Sequence, residues 1–158
     1  MPTLNDVRSE CPTCTQYIES MKPLYRGGFV RQGQEYKLDK KVVEKLRGYA
    51  KDYVLVAVFA DWCSDAARAI PVLSLLEKEI GMRVRALGGM EKPPMGSSRL
   101  WAVPPSPKEV DIFDITSSPT ILVFNKSGEE VGRIKTRPRM TPTVEAEILK
   151  IIENSRRA

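Results

Sequence analysis

The run YVLVAVFA at residues 53–60 constrains the fold more than any other stretch, because it is apolar from end to end and rich in β-branched side chains. A strand with one wet face alternates apolar and polar residues, whereas a central strand covered on both faces reads as an unbroken apolar run. Residues 53–60 therefore predict a central strand with packed layers on either side. Upstream, Asp39 is placed to cap a helix in which Val42, Val43 and Leu46 recur near helical spacing, ending around Ala50. Downstream, CSDAARAIPVLSLLEKEIG predicts a helix stopped by Gly81 and kinked at Pro71, since proline removes a backbone donor.

MRVRALGG predicts a second strand, and GMEKPPMGSSRLWAVPPSP at 89–107 a long proline-rich loop containing Trp101. A short helical turn near PKEVDIFDI precedes TILVFN and EEVGRI, which alternate about KSG as an antiparallel hairpin does. Thr141 as cap and Pro142 at the first helical position open a last helix with a stripe of Val144, Ile148, Leu149 and Ile152. The order β-α-β-(loop/α)-β-β-α implies one right-handed parallel crossover and an antiparallel hairpin in the same sheet. The expected class is α/β, a mixed central sheet flanked by helices on both faces.

With 158 residues the chain suits one domain and an extension. Residues 1–37, polar and broken by Pro2, Pro12, Pro23, Gly27, Gly28 and Gly33, read as an N-terminal extension with one short helical candidate, CPTCTQYIESM; residues 38–158 read as the domain. The net charge of +5 comes from 25 basic residues scattered among 20 acidic ones, and no nucleic-acid motif accompanies it, so no nucleic-acid partner is expected. No run of about 18 apolar residues is present, and MPTLNDVRSE lacks the pattern of a secretory signal, so the expected location is cytoplasmic and off the membrane. The absence of histidine excludes imidazole catalysis.

Several features around residue 63 combine. The strand runs into Trp62-Cys63, Pro71 follows eight residues after that cysteine, SSPT occupies 117–120, and the hairpin and last helix come after it. In this arrangement residues 38–155 resemble the thioredoxin-like superfamily and its thioredoxin fold. The resemblance implies that Cys63 is the nucleophile, that Trp62 flanks it, that Pro119, in cis, faces it across a groove, and that the backbone of Ser118 pairs with an extended peptide substrate. The chemistry has a physical basis: unpaired N–H groups and the dipole at a helix start favour a thiolate. Asp61, Ser64 and Asp65 argue for exposure of Cys63, although the two carboxylates oppose a thiolate.

The sequence departs from the family pattern at two places. Ala66 stands where the second thiol of a WCxxC site would resolve a mixed disulfide, and Ala57 where many thioredoxins carry a buried carboxylate. Three chemistries remain open: a monothiol cycle resolved by an external small thiol, resolution by Cys11 or Cys14, or no redox turnover. The pair in ECPTC suits a redox dithiol, with Ser9 or Glu10 capping a helix that activates Cys11, or half of a four-thiolate zinc site shared by a dimer. Arg133, Lys135, Arg137 and Arg139 alternate at strand spacing, and Arg137 is a candidate for attracting an acidic peptide or the carboxylates of a small thiol. The expected activity is thiol–disulfide exchange through Cys63, without a cofactor, on a disulfide- or thiol-containing protein or a small-molecule thiol. The competing expectations are a redox-inactive adaptor using the same groove and a zinc-linked dimer through Cys11 and Cys14.

Overall fold

A computed structural model describes residues 1–92 and 105–157. Strand β1 (Val54–Val58) is buried along its whole length. Leu55, Ala57 and Phe59 face one core, while Val56, Val58 and Ala60 face another, the alternation of a pleated strand with both sides dry. Strand β2 (Arg83–Leu87) runs parallel to β1, and β3 (Thr120–Phe124) lies antiparallel on its other side. β4 (Glu130–Lys135) pairs antiparallel with β3, giving the order β2-β1-β3-β4. The mixed sheet and the thioredoxin fold expected from the sequence are both present.

The two faces are covered unequally. Helices α1 (Cys14–Ser20), α2 (Pro23–Glu35), α3 (Lys40–Arg47), α4 (Ser64–Ile80) and α6 (Val144–Arg157) all contribute to the first core. Among the described residues, the second core is covered by short α5 (Glu109–Ile112) and by residues 4–11, with Leu4, Val7 and Cys11 packed on it. That segment is held as a strap: Leu4 N–H donates to the Gly128 carbonyl at 2.9 Å, and Ala86 N–H at the β2 edge donates to Pro12 at 3.0 Å. The Trp101 loop lies mostly outside the described residues, and Trp101 itself wholly so.

Three local readings are corrected. The turn-rich stretch from Pro23 is a 13-residue helix despite Gly27, Gly28 and Gly33, because Phe29 is buried and its ring lies 6.1 Å from that of Phe59; tertiary packing overrides helix propensity. The first helix is capped by Thr13, with a reciprocal bond from Gln16, and not by Ser9 or Glu10, so Cys11 precedes it. The last helix starts at Val144, and it is Thr143 whose hydroxyl accepts the Ala146 N–H, while Thr141 donates to Glu147.

Glu109 fixes the strap to α5. It is buried and accepts from Arg8 at both oxygens, from Nη2 at 2.9 Å and Nε at 3.1 Å, and from the Arg8 backbone N–H at 3.0 Å. Burial pushes its carboxyl up, but the bonds from Arg8 together outweigh that and hold it below the ordinary value of 4.5. A depressed carboxylate contributes stability above its unfolded value and loses it as pH falls through the folded one. Arg8→Ala should therefore cost about 1–3 kcal/mol at neutral pH, the cost of an unpaired buried acceptor. Urea unfolding should show the gap between variant and parent closing as the pH falls below 4.5.

Candidate active site

The chain leaves β1, turns through Asp61 and Trp62, and enters α4 with Cys63 at the cap position. Cys63 N–H donates to the Ala60 carbonyl at 3.1 Å, and its own carbonyl accepts from Ala67 at 3.1 Å, which fixes the sulfur at the start of the helix. The Cys63 side chain makes no capping bond, so it does not consume the first-turn N–H groups. Its Sγ, half-buried, donates to the Ser118 carbonyl at 3.5 Å. Trp62, beside it, is 42% exposed.

The opposite wall is built on Ser118 and Pro119, joined by a cis peptide bond. Ser118 Oγ accepts the Ala60 N–H at 2.9 Å, tying the end of β1 to this loop. Thr136 N–H donates to the Pro119 carbonyl at 2.7 Å, and the next residue, Arg137, reaches Asp65 Oδ1 through Nε and Nη2, each at 3.3 Å. Thr136 has φ of 66°, a left-handed conformation that a β-branched residue adopts only when its surroundings hold it there. Cys63 thus lies against the Ser118–Pro119 loop, and Arg137 is bonded to Asp65 in the first turn of the helix that Cys63 caps. The alternation of the basic residues stops with β4: Arg133 pairs with Glu130 at 2.6 Å and donates to the Phe113 carbonyl, while Arg137 lies past the strand end.

A second set of residues supports the turn before Cys63. Tyr17 on α1 donates its hydroxyl to Asp61 Oδ1 at 2.6 Å, and Gly89 N–H donates to the same oxygen at 3.4 Å. Burial, followed by the bond to Asp61, pushes the Tyr17 phenol well above its ordinary value, so it remains a donor. The ring sits directly over Gly88, where a Cβ would overlap the Tyr17 phenol and crowd Asp61. Nothing local in the sequence singles out Tyr17 or Gly88, since their roles depend on α1 docking beside the β2 end.

The other two cysteines are held elsewhere. Cys14 is fully buried against α4, with its Sγ donating to the Ile70 carbonyl at 3.2 Å. Glu77 anchors this end of α1, accepting from Cys14 N–H at 2.8 Å, Thr15 N–H at 2.7 Å and Thr15 Oγ1 at 2.6 Å. Burial, then the nearby Glu77 carboxylate, pushes the Cys14 thiol far up. Cys11 borders the second core with its Sγ 3.8 Å from the Arg8 carbonyl, and burial raises it despite Arg85 and Arg8 nearby. All three cysteines are free thiols, and among the described residues no group of three or more His, Cys, Asp or Glu is placed to hold a metal ion. Ala66 and Ala57 are both fully buried methyl groups of the first core.

The fold is a thioredoxin fold, and a cysteine stands at the start of the helix that follows its central strand. Residues 11–92 match the family model described as thioredoxin, and the chain belongs to that family. It is similar to a crystal structure of a protein of unknown function from Pseudomonas aeruginosa, 16% identical over 98% of this chain and 99% of that one, with a TM-score of 0.71. An HIV epitope-scaffold is 15% identical over 96% of each chain, with a TM-score of 0.69. Both likenesses concern the fold, and both extend through the N-terminal helices. Reduced Schistosoma mansoni thioredoxin pre-protein is 18% identical over 75% of this chain and 93% of its own, with a TM-score of 0.44. No curated protein matches the chain.

Gly88→Ala should destabilise the protein by about 1–3 kcal/mol, the range for forcing a methyl into packed space. The cost should largely vanish in a Tyr17→Ala background, because the overlap is with that ring. Urea unfolding of both single variants and the double variant measures this coupling.

Proposed function

We propose that this protein is a thiol–disulfide oxidoreductase working through Cys63 alone, with an external thiol as the resolving partner. In the first step, the Cys63 thiolate attacks one sulfur of a substrate disulfide. A Cys63–substrate disulfide forms, the original S–S bond breaks, and the electron pair leaves on the second substrate sulfur as a thiolate. In the second step, an external thiolate attacks the mixed disulfide and Cys63 departs with its electron pair. The observation that carries this reading is the half-buried Cys63 sulfur at the start of α4, facing Ser118 and Pro119, with a buried methyl at Ala66.

The positions of Cys11 and Cys14 favour the external route over an internal one. Attack by Cys14 would require α1 to leave α4 and give up its bonds to Glu77. The proposal includes a reducing, cytoplasmic setting, where free cysteines persist and small thiols are available. Membership of the family implies thiol- or disulfide-containing proteins as substrates in general. No helix among the described residues is long and apolar enough to cross a membrane.

Mixing the protein with hydroxyethyl disulfide and mapping the adducts by mass spectrometry tests the reading. The expected product is an adduct on Cys63, persisting until a thiol is added, with Cys14 unmodified unless the protein unfolds. Ala66→Cys should shorten the adduct's life by forming an internal disulfide and releasing the thiol. A Cys63 that stays unmodified from mildly acid to mildly alkaline pH would overturn the proposal. It would favour the adaptor reading, for which the two buried alanines are the supporting observation.

A further inference from the structure

Beside the groove lies a cavity of about 510 Å³, between the end of α2, the first turns of α4 and the segment that follows β4. This is the size of small-molecule pockets. Its lining includes Val72 as an apolar surface and Gln32, Asp65, Arg68 and Arg137 as polar groups. Two guanidinium groups face one carboxylate here, leaving an excess positive charge. Both converge on the same oxygen: Arg137 reaches Asp65 Oδ1 at 3.3 Å and Arg68 Nη1 reaches it at 4.0 Å. These are long for charge-assisted bonds, and neither arginine forms the paired fork that two carboxylate oxygens provide. Both side chains are largely exposed, 69% and 72%, so their attraction to Asp65 is weak and a ligand competes readily.

Cys63, Ser118 and Pro119 do not line the cavity, which is linked to them through the two segments that carry its arginines. Asp65 is in the first turn of α4, two residues after Cys63, and Arg68 is about a turn and a half along at roughly 1.5 Å rise per residue. Arg137 follows Thr136, which is bonded to Pro119 on the groove wall. A molecule whose sulfur meets Cys63 and whose carboxylate lies between the arginines would be of amino-acid to short-peptide size.

We infer that this cavity is a carboxylate subsite, and that the disulfide attacked by Cys63 is that of a small thiol carrying a carboxylate. The inference rests on the reading of Cys63 as nucleophile and specifies its substrate class. The step balances as before: the Cys63 sulfur bonds to one sulfur of the disulfide while its carboxylate pairs with Arg137 and Arg68, and the other half leaves as a free thiolate.

The test compares rates of Cys63 modification by three disulfides: dianionic dithiodipropionate, neutral hydroxyethyl disulfide and dicationic cystamine. A Cys11→Ser background removes the other half-exposed thiol. The expected order is anionic, neutral, cationic, with an anionic-to-neutral ratio of about fivefold, as two exposed ion pairs supply. The double substitution Arg68→Gln and Arg137→Gln should bring that ratio close to one. Lys126→Gln, at an exposed turn residue between β3 and β4, should preserve it. A parent ratio near one, a ratio unmoved by the double substitution, or an equal loss in Lys126→Gln overturns the subsite. Succinate, which has no sulfur, separates the two claims: its titration should shift the Arg137 side-chain NMR signals in the parent, even if Cys63 reacts with no disulfide. Reaction of Cys63 with all three disulfides at one rate, with no shift by succinate, would leave the oxidoreductase reading intact and end this one.

Discussion

Everything in this fold has to cover a strand that is dry on both sides. β1 sends Leu55 and Ala57 into one core and Val56 and Val58 into the other, so neither face of the sheet is left to water. Five helices cover the first face, but among the described residues the second has only the four-residue α5 and the strap at 4–11. The N-terminal segment is thereby part of the packing, passing from the hairpin turn at Gly128 to the edge of β2 at Ala86. The CPTC stretch rounds that edge. Cys11 borders the second core and Cys14 enters the first, so a spacing that suits a redox pair serves to place one cysteine against each layer.

Carboxylates then hold the irregular segments to this frame. Glu77 satisfies donors at the start of α1, and buried Glu145 accepts from Tyr36 and from the Asp39 N–H, joining the end of α2 to the cap of α3. Buried Glu147 accepts the Arg139 and Met140 N–H groups, fixing the segment that leads away from Arg137. Each pairing matters more through what its loss would leave behind than through its own net gain, because an orphaned buried donor or acceptor keeps its full desolvation cost. One consequence is functional: the segment following β4 is held at Thr136 by Pro119 and at residues 139–141 by Glu147, so Arg137 is presented from an anchored loop.

What the sequence makes legible follows from how local each cause is. β1, α4 with its Pro71 and the hairpin are carried by continuous apolar runs, caps and turn residues, which act within a few positions, whereas the pairing of Cys63 with Pro119 is implied by the family resemblance alone. α2 is hidden because its three glycines argue against a helix while its support, the Phe29 ring against Phe59, comes from the residue just after β1, 30 positions away. Tyr17 and Gly88 are hidden for the same reason, as an ordinary tyrosine and an ordinary turn glycine until α1 docks. Charge placement is legible only in part: the basic run is visible, but Arg133 is committed to Glu130 while Arg137 pairs with Asp65 at the start of α4.

In the proposed cycle, a methyl in place of a thiol at residue 66 changes which part of the site governs turnover. With a thiol at residue 66, release of the mixed disulfide would be intramolecular and largely indifferent to surrounding charge, since effective concentration would drive it. With the Ala66 methyl sealed in the core, the proposed cycle takes its resolving sulfur from solution, and the rate of that step depends on approach. Electrostatics at the rim then becomes part of the mechanism. Asp65 lies in the first turn of α4, where a carboxylate favours the helix. Arg137 and Arg68 pair with that carboxylate and leave positive charge over at the cavity beside it. The residues that pair with Asp65 are therefore the same ones to which the proposed carboxylate subsite assigns the incoming disulfide.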